Sequence, residues 1–169
     1  VVDVGRRPPI LSFDHEGRLA TDLPPSAEIM LPVVLDIPSL GPRGDGARRA
    51  AAVAAARLGT LAVATAREAS TLLEDHRQHL VVRLAPDGSD LDDAAGAPVL
   101  EITHGPDTQE ASRHIRASRP DAVLSVRLPL DEHAAERAAS LAPELADVIH
   151  LQAQPGGRGL GARSEDFIT

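Results

Sequence analysis

Cysteine, lysine, asparagine, tryptophan and tyrosine are all missing from this chain of 169 residues. Without cysteine there is no disulfide, no thiolate nucleophile and no ligand set for an iron-sulfur cluster or a thiolate zinc site. Without lysine, side-chain Schiff-base chemistry is excluded, and arginine is the only strongly basic side chain. Positive charge is also scarce: 17 basic against 25 acidic side chains leave a formal net charge of -8. General attraction to a phosphate backbone or an anionic membrane is therefore not expected, and nucleic-acid binding is disfavoured. No apolar run approaches the ~20 residues that span a bilayer. The opening Val1-Val2-Asp3-Val4-Gly5-Arg6-Arg7 lacks the charge-then-apolar order of a signal peptide, so no membrane partner and a cytoplasmic location are expected. The first residue is not Met, which suggests a processed or excised segment.

What is present is a repeat. The first 30 residues, interrupted by Pro8-Pro9 and Pro24-Pro25, read as an extended N-terminal arm over the core. Residues 31–169 read as a βα-repeat domain in which short β-branched runs alternate with Ala-rich stretches. The runs are Pro32 to Ile37, Leu61 to Ala64, Leu80 to Leu84, Val99 to Ile102, Ala122 to Leu128 and Val148 to Leu151. A helix is predicted from about Gly46 to Leu58, stopped by Gly59. Thr71 with Glu74 has capping-box spacing for a helix after the second run. Asp107 with Glu110 predicts a carboxylate-capped helix ending before Pro120, Asp131 opens another that Pro143 ends or kinks, and a glycine-rich loop begins near Pro155.

Such alternation predicts an α/β fold of parallel strands joined by right-handed crossovers, with both faces of the sheet covered. An open doubly wound sheet of six strands is complete at this length. A TIM-type barrel takes about 250 residues and eight strands, so it would be incomplete or degenerate here. Spacing does not choose between the two.

Either architecture puts its functional edge at the carboxyl ends of the strands. The polar residues there are Ser39, Thr65, Arg83, Thr103, His104 and Arg127, followed by Gln152, Gln154, Gly156 and Gly157. Arg127, flanked by apolar residues, is a candidate ligand-binding cation, or else a structural partner of a carboxylate such as Glu101 on the neighbouring strand. His104 is a candidate base or a solvated loop residue. The loop Gln154 to Gly159 offers backbone N–H groups to an anion, or is a flexible connection. His76 and His79 are three residues apart, but no third ligand lies nearby and no metal site is expected. The Ala-rich face Ala50 to Ala56 predicts close helix-sheet packing.

Several landmarks occur in one order along most of the chain. They are Pro32 to Gly41, Arg57-Leu58-Gly59, Ala97 to Ile102, Ser125-Val126-Arg127-Leu128, and Ala146 to Leu151 followed by Gly156-Gly157-Arg158-Gly159. In these the chain resembles the FMN-binding barrel domain of the glutamate synthase family and its relatives. The resemblance implies a TIM-type barrel with FMN held by Ser39, Gly41, Thr65, Thr103, His104, Arg127, Gly156, Gly157 and Gly159. Arg127 stands where the family has a lysine beside the flavin, keeping the charge but not the shape.

The departures point the other way. The family's glycine-rich loop after the second strand appears as Thr65-Ala66-Arg67-Glu68-Ala69, and its lysine-rich loop after the fourth as Thr103-His104-Gly105-Pro106-Asp107. The cluster cysteines and the last two strands are absent, and loops after those strands usually hold phosphate. The expectation is a degenerate barrel acting as a scaffold or partial site in a larger assembly. The alternative is an active FMN-dependent oxidoreductase domain completed by another segment or subunit. Open strand edges predict coverage by a second copy or another subunit.

Overall fold

The computed structural model describes residues 1–6, 10–37, 44–142 and 144–153. Two strands open the chain, β1 (Val2–Gly5) and β2 (Ser26–Ile29), paired antiparallel. Six parallel strands follow: β3 (Val34–Leu35), β4 (Leu61–Thr65), β5 (Leu80–Arg83), β6 (Val99–Thr103), β7 (Val123–Pro129) and β8 (Val148–Gln152). Helices α1 (Asp45–Leu58), α2 (Ala66–Thr71), α3 (Thr108–Ser118) and α4 (Ala134–Leu141) lie between them. Among the described residues no helix is long and apolar enough to cross a membrane.

The spatial order of the six strands is their order in sequence. That decides between the two architectures, because a doubly wound sheet must reverse its strand order at a switch point and this one never does. Right-handed crossovers without a reversal put every helix on the same side, and the sheet curls away from them. The result is an α/β half-barrel, an incomplete TIM-type barrel with β3 and β8 at its open edges. Both faces were expected to be covered, yet helices cover only the convex one.

Strand alternation sorts the core accordingly. Leu80, Val82, Leu100, Ile102, Leu124, Val126 and Leu128 point outward and pack against buried Ala51, Ala52 and Ala55 of α1, Ala66 and Ala69 of α2, and Ala111 and Ile115 of α3. Alanine has no side chain beyond Cβ, so these helices approach the sheet closely and their Ala-rich composition is the means of that contact. Gly59 ends α1 in the left-handed region (φ 62°) with its N–H on the Ala55 carbonyl, and a Cβ there would lie 2.6 Å from Met30 Cγ. It serves both as a helix stop and as a point of close approach.

On the concave side, Leu61, Val81, Val99 and Val123 at the N-terminal ends of their strands are sealed by the β1–β2 hairpin through Ala27, Ile29 and Val4. The hairpin is tied down by Arg6, which bonds the Asp147 carboxylate just before β8 at 3.1 Å. Asp147 also accepts from Arg116 (3.0 Å) and from the Leu124 N–H (2.9 Å), so one fully buried carboxylate joins the arm, α3, β7 and β8.

Three local expectations are corrected. The capping box is Thr65-x-x-Glu68, not Thr71-x-x-Glu74: Glu68 N–H donates to Thr65 Oγ1 (3.3 Å) and Thr65 N–H to Glu68 Oε2 (2.9 Å), while Thr71 is the last residue of α2 and Glu74–His79 is a 3-10 turn. Thr65 wins because it leaves a strand in the extended conformation an N-cap requires. Asp107 precedes α3 without capping it by its side chain; the Thr108 hydroxyl instead accepts from Gly105 N–H at 2.7 Å. The first parallel strand shrinks from Pro32–Ile37 to two residues, since Pro32 has no N–H to give a ladder. Pro143 lies outside the described residues.

The two Thr-x-x-Glu sequences give a direct check. Thr65→Ala should cost about 1 kcal/mol in urea unfolding through the lost cap. Thr71→Ala, which removes only a hydroxyl bonded back to the Arg67 carbonyl, should stay within about 0.5 kcal/mol of the parent.

Candidate functional site

Register stacks the concave side chains into rows. The lowest is Val63, Val81, Val99 and Val123, one from each of β4 to β7. Above it come Thr65, Arg83, Glu101 and Ser125, with Val148 of β8 beside Ser125. The top row is Thr103, Arg127 and His150. An apolar floor thus gives way to charge toward the carboxyl ends.

Glu101 is the centre of this charge. Its side chain is buried, and its two oxygens are bonded separately: Oε1 by Arg83 Nε at 2.8 Å, Oε2 by His150 Nδ1 at 2.6 Å. The Ser125 hydroxyl lies 3.4 Å from Oε2. A carboxylate only accepts, so Nδ1 carries the proton and Nε2 is left to accept or to bind a second proton. Burial works against the Glu101 charge, but the bonds from His150 and Arg83 outweigh it and hold the carboxyl below its ordinary range. Arg83 continues the chain to the edge strand side, bonding the two oxygens of Asp36 at 3.3 and 2.7 Å. Burial opposes its charge too, yet the bonds to Asp36 and Glu101 raise its pKa above the arginine norm.

Arg127 is different. Its Nη2 donates to Thr103 Oγ1 at 2.8 Å, its buried Nε has no acceptor, and no carboxylate pairs with it among the described residues. The expected alternative of a pair with Glu101 is therefore corrected: Arg83 and His150 already take both Glu101 oxygens. Burial, then the like charge of Arg83, pull the Arg127 guanidinium below its usual pKa, against weaker attraction from Glu101 and Asp36. It is a half-buried cation without a counter-ion.

The other predicted site residues divide clearly. Thr103 and Arg127 are in contact, and His104 joins them through its backbone N–H on the Arg127 carbonyl at 2.9 Å. Thr65 is committed to capping α2, and Gln152 ends β8 with its carbonyl on the Leu130 N–H at 2.9 Å. His76 and His79 lie in the 3-10 turn. Ser39, Gly41, Gln154, Gly156, Gly157 and Gly159 fall outside the described residues. Asp36, Ser125 and His150 were not singled out from sequence. The signal was the period-2 phase: Ser125 follows Val123, and His150 follows Val148, by two residues on otherwise apolar strands.

Beneath the charged rows is a cavity of about 320 Å³ between the sheet and the hairpin, walled mostly by valines and lined also by Glu101, Ser125 and His150. Fold and site together define an open (β/α) half-barrel with a charged upper concave face. No protein family, curated protein or solved structure matches the chain.

Glu101→Gln should destabilise the fold by about 3 kcal/mol, because it leaves Arg83 and His150 facing an uncharged amide in a buried position. The sign of its pH dependence follows from the lowered carboxyl. Glu101 contributes stability above its unfolded pKa of about 4.3, and that contribution is lost as pH falls through the lower folded value. Urea midpoints measured from about pH 6 to pH 3 should fall less steeply in Glu101→Gln than in the parent.

Proposed function

We propose that the chain is a degenerate barrel of glutamate-synthase type that acts as a scaffold or partial site within a larger assembly. The observation that carries this is the use of the loop amides at the strand ends. In the family the chain resembles, these loops surround FMN; here Thr65 and Glu68 N–H close a capping box, His104 N–H bonds the Arg127 carbonyl, and Gly105 N–H bonds Thr108. Donors already satisfied inside the chain are not offered to a phosphate or an isoalloxazine. The open edges favour an assembly: β8 ends with Leu151 49% exposed and β3 has Val34 42% exposed.

One observation favours a second role, as an FMN-dependent oxidoreductase domain completed by another segment or subunit. Arg127 is a cation at the carboxyl end of a central strand, without a carboxylate, where positive charge stabilises reduced flavin. Thr103 and His104 adjoin it, as the FMN set requires.

Two measurements separate these. Sedimentation of the purified chain is expected to show a dimer or larger species; a monomer whose β3 and β8 amides are protected from hydrogen exchange would sink the assembly proposal. After mixing with FMN and desalting, the scaffold role predicts no band near ~450 nm. A retained band that Arg127→Ala abolishes would replace it with the oxidoreductase role.

A further inference from the structure

The concave cavity and the row above it form a site with an apolar body and a charged head, independent of whether the chain assembles or holds flavin. The cavity is bounded by two separate parts of the fold, the sheet through Val63, Val81, Val99 and Val148 and the N-terminal hairpin through Val4. Its volume of about 320 Å³ is that of a small-ligand pocket. Its polar end is not a cation site, because both oxygens of Glu101 are already held by Arg83 and His150. His150 lines the cavity, and Arg127, outside its lining, is His150's register neighbour across β7 and β8, two residues farther along β7 than Ser125. Arg127 has no counter-ion among the described residues and a buried Nε without an acceptor. His150 is held at Nδ1 by Glu101, which sets the orientation of its ring beside the cavity.

We propose that this cavity binds a small monocarboxylate with an apolar tail, the tail lying among the valines and the carboxylate extending past the cavity mouth to the Arg127 guanidinium. The distance suits such a molecule: two residues of parallel strand, about 6.6 Å, separate the valine row from the Glu101 row, and the same step separates that from the Arg127 row. A short polar anion leaves the valines exposed to water, and a neutral amphiphile leaves the arginine without a partner. Arg127, which has no carboxylate partner among the described residues, matches one negative charge.

Titration calorimetry of the intact chain with sodium butanoate, hexanoate and octanoate tests this. Affinity should rise about three- to fourfold for each added methylene, the increment of burying one CH₂. Octanoate should bind roughly tenfold or more tightly than octan-1-ol, since a hydrogen-bonded charge is lost with the alcohol. Arg127→Gln should weaken octanoate by a similar factor, and Arg127→Lys should recover part of it. Equal affinity for octanoate and octan-1-ol, no dependence on tail length, or no heat with octanoate overturns the proposal. The octan-1-ol comparison uses the parent chain and so decides the point even if a variant at Arg127 does not fold. None of these outcomes depends on the sedimentation or flavin results.

Discussion

Everything in this molecule depends on a constraint of handedness. Six parallel strands laid down in sequence order, with right-handed crossovers and no reversal, place all four helices on one face. The convex face is therefore closed by alanine-faced helices, and the concave face receives none. A whole barrel resolves this by closing on itself so that inward side chains fill one another's space. Among the described residues the sheet has six strands, and the inner face is satisfied by two other means: an antiparallel hairpin over its apolar lower end and a network of ions over its upper end.

The ion network has a definite order. Asp36, Arg83, Glu101 and His150 form one chain of bonds running from beside the β3 edge, through β5 and β6, to the β8 edge. Arg83 neutralises the carboxylates on either side of it and His150 donates to Glu101, which is what lets Glu101 be buried at all. The chain also crosses the sheet obliquely, from the level of Asp36 up to the row of His150, and so braces the curved surface. Arg127 lies just outside this chain with its charge unbalanced. A protein interior tolerates such a cation only at an energetic cost, and chemistry tends to be found where that cost is retained.

The glycine-poor strand ends bear on the flavin question in the same physical terms. Ala66 and Ala69, where the proposed flavin-barrel relatives have glycine, let a helix start directly after Thr65. The amides that a loop leaves open are then bonded within the first helical turn. Under the proposed relationship, resemblance along the strands is compatible with different chemistry at their ends: strand sequences report the packed core, and loop sequences report the site.

The sequence by itself determined that strands and helices alternate, where each unit begins within a few residues, and that the helices pack by alanine. Those properties follow from short-range periodicity and from Gly59, whose effect acts within a turn or two. Even so, two Thr-x-x-Glu sequences competed for one cap, and only the end of β4 chose Thr65. Tertiary structure alone decided between open sheet and half-barrel, since strand order is set by crossovers that leave no trace in local pattern. It also decided the partners of Glu101, which lie 18 and 49 residues away in sequence. Any arginine could have paired with that carboxylate; register on neighbouring strands gave it Arg83 and His150 and left Arg127 without one.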